Sequence, residues 1–323
     1  ARQPELIKTE NAKPGASFQL TRMMPDGAKS YRTSLIEGYC SRQSVAAGET
    51  IEFHISTNPP SRYTIEVFRT GYYGGRGARL MATLGPFQGT PQPEPAVEER
   101  RRVECRWQSG TALKIPSNWV SGVYLGRLTT LPENSAQPYW QSYVVFIVRD
   151  DRPADILFQC SDNTWQAYNR WPGAYSLYDN GQPGMTSTPE VDVSFDRPYG
   201  KYRQIYENPQ STGSGEWLCW EFSLAYWLEQ HGYDVSYCSN SDLLTPQRGL
   251  KCKAFLSVGH DEYWDERAYH SAAAMRDAGV NLLFLSGNAV CWVSPFSPNA
   301  DGTPNRRIRR TAAGEVIHLH IDR

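Results

Sequence analysis

Apolar and polar residues alternate along the first half of the chain in a way that is typical of β-strands. Residues 50–56 and 63–69 alternate with a period of two, and turn-forming Asn, Pro and Gly residues separate such segments. Short strands at this spacing predict an antiparallel β-sandwich of immunoglobulin-like type. We expect the polar residues 1–30 to form an arm laid on this domain. The series of strands continues at residues 102–107, 122–129 and 139–148.

The pattern changes near residue 150. A charged joint that contains a proline, residues 149–153, marks the predicted boundary between a first domain, residues 1–150, and a second, residues 151–323. Beyond it, short apolar strands alternate with segments of helical spacing, which predicts an α/β domain with a mainly parallel sheet flanked by helices. The predicted strands are residues 155–159, 233–237, 254–258, 280–285 and 316–321, and the predicted helices are residues 216–230 and 265–277.

The strongest candidate for a functional site follows the apolar strand at residues 254–258. Gly259 ends this strand, and His260, Asp261 and Glu262 come directly after it. A helix cap would explain one of the acids, but not a histidine with two acids. Ligands of open parallel sheets bind outside the carboxyl ends of the strands, so we expect these three residues to line a site. Two further polar strand ends fall on the same edge, at residues 160–168 and 286–288.

Composition narrows the range of partners. The 323 residues carry a net charge of −1, which points to neither a nucleic acid nor a membrane surface. No apolar run approaches the ~18 residues that a membrane helix needs. The basic runs at residues 100–102 and 306–310 are explained most simply as solvated faces. Because the chain begins with Ala1, we expect a processed or trimmed N-terminus on a soluble protein, either cytoplasmic or exported.

Cysteine chemistry fits this edge poorly. Cys160 and Cys291 lie near strand ends, with His260 as a candidate base, but neither has the glycine-flanked turn that a nucleophile usually needs. The seven cysteines include no CxxC pair, which argues against a zinc knuckle. A disulfide such as one between Cys40 and Cys105 stays open.

Serine and zinc hydrolases are also poor matches. The chain has no Gly-x-Ser-x-Gly turn of the kind that presents a nucleophilic serine. A zinc hydrolase would need several histidines, and only His318 and His320, on the last predicted strand, could join His260. An ordinary half-exposed strand explains that histidine pair more simply.

Several motifs resemble the large (β) subunit of N,N-dimethylformamidase. They occur in one order and span most of residues 30–293. The motifs of the second half are residues 163–169, 194–199, 259–264 and 286–290, and those of the first half are residues 37–40 and 69–75.

The resemblance implies a mononuclear ferric site. By motif position, Tyr168 and Tyr199 would be the phenolate ligands and Glu262 the carboxylate ligand. His260 and Asn288 would lie beside the metal, where they would either support its ligands or orient the substrate. Hard oxygen anions suit Fe³⁺, and a phenol with a free pKa of about 10 binds a cation in its deprotonated form.

Two functions stay open. The resemblance implies a ferric-dependent hydrolase of a non-peptide C–N bond in a small amide, working with a small partner subunit or as a homo-oligomer. The metal would polarise the carbonyl, and His260 or Asp261 would pass a proton to the departing amine, with Asn288 as a third catalytic residue. The alternative is a non-catalytic protein that binds a carbohydrate or another small ligand through the aromatic loop at residues 165–178.

Overall fold

The computed structural model describes residues 3–24, 31–134, 136–184, 191–201 and 212–311. Within these ranges the protein is mostly β-structure, arranged in several sheets with few helices. No helix among the described residues is both long and apolar enough to cross a membrane.

The strands of the first half form two sheets that share one core. They are β1 (Glu37–Cys40), β2 (Ser44–Ala46), β3 (Thr50–Ser56), β4 (Ser61–Thr70), β5 (Ala78–Gly89), β6 (Thr111–Lys114), β7 (Gly122–Leu131) and β8 (Gln141–Arg149). The strand orders are β1-β3-β6 and β2-β8-β7-β4-β5, and every pair is antiparallel except β2 with β8. Apolar side chains of both sheets meet where the rings of Phe53 and Phe146 are 5.9 Å apart.

The predicted strands of the first half are confirmed with one exception. Residues 102–107 form no strand, and their one regular contact is an isolated bridge between Val97 and Val103. The backbone here bonds irregularly instead, since the Cys105 amide donates to the Asp196 carbonyl at 2.7 Å. The finer immunoglobulin-like arrangement stays a prediction.

A four-stranded parallel sheet with the order β11-β9-β12-β14 organises the second half. Its parallel pairing agrees with the prediction, although the chain as a whole is mostly β rather than evenly α and β. The predicted strand at residues 316–321 lies outside the described residues. The described strands of the second half, inside and outside this sheet, are β9 (Ile156–Gln159), β10 (Asp192–Ser194), β11 (Val235–Cys238), β12 (Ala254–His260), β13 (Tyr263–Trp264), β14 (Asn281–Gly287), β15 (Trp292–Val293), β16 (Phe296–Ser297) and β17 (Arg307–Arg309).

Helices pack around these sheets. The 265–277 helix begins where the Asp265 side chain accepts a 2.9 Å hydrogen bond from the Arg267 amide, a standard N-cap. It ends before Gly279, whose φ of +85° suits a helix C-terminus. The α-helices are α1 (Leu6–Asn11), α2 (Asp162–Ala167), α3 (Phe222–Gln230) and α4 (Glu266–Asp277), with a π-helical segment at Trp217–Glu221 and 3₁₀ turns at Tyr73–Gly75, Glu99–Arg101, Asn240–Leu243 and Gly249–Lys251.

One apolar core crosses residue 150. Leu125 and Ile147, on the face of the first-half sheet, belong to the same buried cluster as Phe158 of the parallel sheet. Arg69 and Glu229, one from each half and both fully buried, form a two-pronged ion pair with N···O distances of 2.8 and 3.0 Å. The division into two domains stays a prediction, but this shared core holds the parallel sheet firmly against the first half.

Candidate functional site

The site lies where β12 ends and α2 ends. Gly259, with φ +86°, lets the chain turn at a place where a Cβ would approach Glu221 Cγ to 2.6 Å. The turn after β12 is tied to α2 by its backbone, because the Glu262 amide donates to the Thr164 hydroxyl at 3.0 Å. Tyr168, the residue that follows α2, is thereby brought beside Glu262.

The side-chain oxygens of three residues converge here, and we call Tyr168, Tyr178 and Glu262 the oxygen cluster. The Tyr168 hydroxyl donates to Glu262 Oε2 at 2.8 Å, and the Tyr178 hydroxyl donates to Oε1 at 3.2 Å. The two hydroxyl oxygens are 2.8 Å apart, and the Tyr263 hydroxyl bonds that of Tyr178. The three residues bring two phenols and a carboxyl group within hydrogen-bonding distance of one another.

Further donors surround the carboxylate of Glu262. His260 Nε2 lies 3.1 Å from Glu262 Oε2, and the Trp292 indole donates to Oε1 at 3.0 Å. The ring of His260 also lies beside that of Tyr168, with 5.4 Å between their centroids. His260, the last residue of β12, therefore lies beside the oxygen cluster, and its catalytic role stays a prediction.

The protonation of the oxygen cluster is set by its surroundings. Burial alone would raise the pKa of Glu262, but hydrogen bonds from His260 and Tyr168 and the charge of His260 lower it overall. Burial raises the pKa of Tyr168 well above its usual range, and the Tyr178 and Glu262 neighbours raise it further. Glu262 is thus ionised at neutral pH while Tyr168 keeps its proton, unless a cation enters and favours the phenolate.

Asp261 and Asn288 do not join the oxygen cluster in the described contacts. The carboxylate of Asp261 turns into the fully buried interior, where Ser257 and Asn240 donate to it at 2.7 and 3.0 Å. Burial raises its pKa to about 6. Asn288 is exposed, has φ +44°, and opens the turn that leads to Trp292. The catalytic roles of both residues stay predictions.

Tyr199 lies in different surroundings. Its ring centroid is 6.3 Å from that of Trp165, and with Asp162 and Arg197 it lines a small cavity that also borders β1 and β8. Burial raises the pKa of Tyr199 well above its usual range. Its role as a metal ligand stays a prediction, and the tyrosine whose hydroxyl bonds that of Tyr168 is Tyr178.

Tyr178 was within reach of sequence reasoning. It closes the aromatic loop at residues 165–178 that the sequence singles out, ten positions after Tyr168. It lies outside the motifs that carry the family resemblance, however. Nothing in the local sequence pattern shows which of several nearby tyrosines turns towards Glu262. Only the contact with Tyr263 and the carboxylate identifies it.

The described residues give little support to the alternative metal sites and cysteine nucleophiles. Across residues 3–311, where described, no group of three or more His, Cys, Asp and Glu side chains is arranged to hold a metal ion. His318 and His320 lie outside the described residues. The seven cysteines are free, so Cys40 and Cys105 form no disulfide. Burial raises the pKa of the Cys160 thiol well above its usual range, which makes this thiol a poor nucleophile.

Comparison with known families adds one finding. The family model described as N,N-dimethylformamidase beta subunit-like, C-terminal, matches residues 64–315, a range that contains the whole oxygen cluster. No curated protein matches the sequence. A solved structure concerned with glycolipid glycan hydrolysis, a family 123 glycoside hydrolase from Clostridium perfringens, shares 10% identity over 40% of this chain with a TM-score of 0.16. The chain spans 28% of that protein, and a likeness this weak carries no argument.

Proposed function

Because the chain belongs to the N,N-dimethylformamidase beta subunit-like family, we propose that it hydrolyses a non-peptide C–N bond in a small linear amide. Family membership by itself indicates a dimethylformamidase-like hydrolase with amidohydrolase activity. The choice of a small amide and the need for a metal are our proposals. The observation that carries them is the convergence of two phenols and one carboxylate at the carboxyl end of β12.

The oxygen cluster is a donor set that fits a ferric ion. Phenolate and carboxylate oxygens are hard ligands, and hard trivalent iron prefers them over nitrogen or sulfur. We propose that Tyr168, Tyr178 and Glu262 hold the ion, with Tyr178 in the place that the sequence motif gives to Tyr199. Without a cation, the ionised Glu262 opposes ionisation of both phenols, so the oxygen cluster favours the binding of a cation.

The residues around the oxygen cluster have separate roles in the proposed reaction. A bound ferric ion would supply polarisation of the amide carbonyl and a lowered pKa for an attacking water. His260, with Nε2 at 3.1 Å from Glu262 Oε2, stands where it can pass a proton to the departing amine. Trp292 and Tyr263 orient Glu262 and Tyr178 through their hydrogen bonds.

The family name also bears on assembly. The matching model describes a beta subunit-like protein, which fits an enzyme built from more than one subunit. We propose that the chain works with a small partner subunit or as a homo-oligomer. Light scattering of the purified chain, alone and with a co-expressed partner, would test this, and a monomer with full amidase activity would contradict it.

Iron content and amide hydrolysis test the proposed function together. We expect freshly purified or ferric-loaded protein to show a visible phenolate-to-iron absorption band, and to release dimethylamine from dimethylformamide or ammonia from formamide. Glu262→Gln should lose the band and lower kcat/KM by more than the roughly 100-fold that loss of an outer-sphere partner costs. Glu266→Gln, an exposed change on α4, is the matched control.

The outcomes of this experiment separate the two open functions. A protein that stays colourless after ferric loading and releases no amine would overturn the hydrolase and favour non-catalytic binding of a small ligand. A coloured protein in which Glu262→Gln keeps both band and rate would overturn the assigned role of Glu262.

A further inference from the structure

The basic run at residues 306–310 is not the solvated face that the sequence suggests. Arg306 and Arg310 are only 2% and 1% exposed. Arg307 and Arg309 form ion pairs with buried carboxylates at 2.6 and 2.9 Å. Alternation along β17 therefore turns Arg309 to the surface and leaves Arg307 half-buried, whereas Arg306 and Arg310, on either side of the strand, lie inside the protein.

Arg310 reaches the oxygen cluster. Its guanidinium carbon lies 5.1 Å from the ring centroid of Tyr178 and 4.8 Å from that of Trp292. Both of these rings donate a hydrogen bond to Glu262 Oε1. Thr311 fixes the chain at this point, since its amide donates to the Val293 carbonyl of β15 at 3.1 Å.

We propose that Arg310 is a positioning residue of the oxygen cluster, whose guanidinium holds the rings of Tyr178 and Trp292 against Glu262 and sets a permanent positive charge beside the Tyr178 phenol. Arginine keeps its charge at every pH a protein tolerates. A desolvated guanidinium attracts the faces of both aromatic rings. The charge part of this inference rests on the proposed ferric site, whereas the positioning part does not.

The charge of Arg310 should be visible in a spectrum. In a phenolate-to-iron transition an electron moves away from the phenolate ring towards the metal. A positive charge beside that ring stabilises the electron in its starting place, so it raises the transition energy. Removing the charge should therefore move the band to longer wavelength, whereas a mere change of packing has no such preferred direction.

Charge-keeping and charge-removing variants of the full chain test this after ferric loading. We expect Arg310→Met to shift the band to longer wavelength and Arg310→Lys to leave it closer to wild type. Arg309→Met, which removes the neighbouring surface arginine, should leave the band unchanged. No shift in Arg310→Met, or equal shifts in Arg310→Met and Arg310→Lys, would overturn the charge role.

Hydrogen exchange of the metal-free protein tests the positioning role separately. We expect Arg310→Met to speed exchange of the amides at residues 176–178 and 292–294 by roughly tenfold, as local opening becomes easier. Unchanged protection would overturn this role. If wild type shows no band, the proposed ferric site fails and the exchange result alone decides. If Arg310→Met does not fold, Trp292→Leu, which removes one stacked ring, should speed exchange at residues 176–178, and unchanged protection there would equally overturn the proposal.

Discussion

The Tyr168 hydroxyl donates a 2.8 Å hydrogen bond to Glu262 Oε2 across 94 positions of sequence. The bond joins the end of α2 to the turn after β12, and the backbone bond from Glu262 to the Thr164 hydroxyl fixes the same two segments. A half-buried phenol so close to a carboxylate keeps its proton, and a bound cation would release it. The pair therefore couples occupancy of the site to its protonation.

Two tyrosine variants decide between the geometric and the motif-based assignment. We expect Tyr178→Phe to weaken the visible band at equal iron content, because a phenolate ligand is lost, and Tyr199→Phe to leave it intact. Absorption spectra of ferric-loaded protein measure this, with thermal melts to show that both variants fold. The reverse result would restore Tyr199 as the ligand.

His260 should act on the proton rather than on the metal. We expect His260→Gln to lower kcat by about 10²- to 10⁴-fold, the usual contribution of a general acid or base, while the ferric band stays. His270→Gln, an exposed change on α4, should have little effect. Loss of iron in His260→Gln would show that His260 supports the metal site instead.

Gly259 and Gly279 form a matched pair for testing the turn after β12. Both have positive φ, +86° and +85°, so alanine costs either position about 1–2 kcal/mol of folding free energy. Only Gly259 has a close neighbour, since a Cβ there would lie 2.6 Å from Glu221 Cγ and one at Gly279 meets nothing. We expect Gly259→Ala to lower the free energy of unfolding more than Gly279→Ala in urea titrations. Equal losses in the free energy of unfolding would show that the Glu221 side chain moves aside at no measurable cost.

Asp162 should make the folded state less stable as the pH rises from about 4 to about 8. Burial raises the pKa of its carboxyl from 3.8 to about 8, and Oδ2 has no hydrogen-bond partner among the described residues. Between about pH 4 and pH 8 the folded chain holds this proton and the unfolded chain has lost it, so this group makes stability fall as pH rises.

Asp162→Asn removes that titration while it keeps an oxygen for the Asn240 amide, which donates to Asp162 Oδ1 at 2.7 Å. Urea unfolding of variant and wild type at pH 5 and pH 8 measures the effect. We expect the variant to gain stability relative to wild type at the higher pH. A difference that is the same at both values would contradict the raised pKa.

Local signals explain which elements the sequence could predict. Asp265 and Gly279 bracket α4 by capping, and the apolar run before Gly259 marks β12, so both were located to within two residues. The 12-residue strand β5 went unpredicted because it lies at a sheet edge with most side chains partly or fully exposed. Its alternation is also interrupted, because the pairing of β5 with β4 shifts register twice.

The site was only partly predictable, for a different reason. His260 and Glu262 follow a buried strand, and the general rule for parallel sheets places such residues at a ligand site. Tyr178 sits in a loop without periodicity, and its position depends on contacts with distant residues. The sequence suggests a solvated Arg310 because four arginines in five positions hide the alternation of β17. Motif order carries no information about which loop residue turns inward.

The buried ion pair of Arg69 and Glu229 links the unfolding of the two halves of this protein. Cutting the chain near residue 150 would expose both charges and part of the apolar face of the parallel sheet to water. Neither fragment would then contain a complete hydrophobic core. Calorimetry should then record one cooperative heat-absorption peak, and two resolved peaks would contradict it. A shortened protein made from the second half alone would lack the first-half sheet against which its own parallel sheet packs.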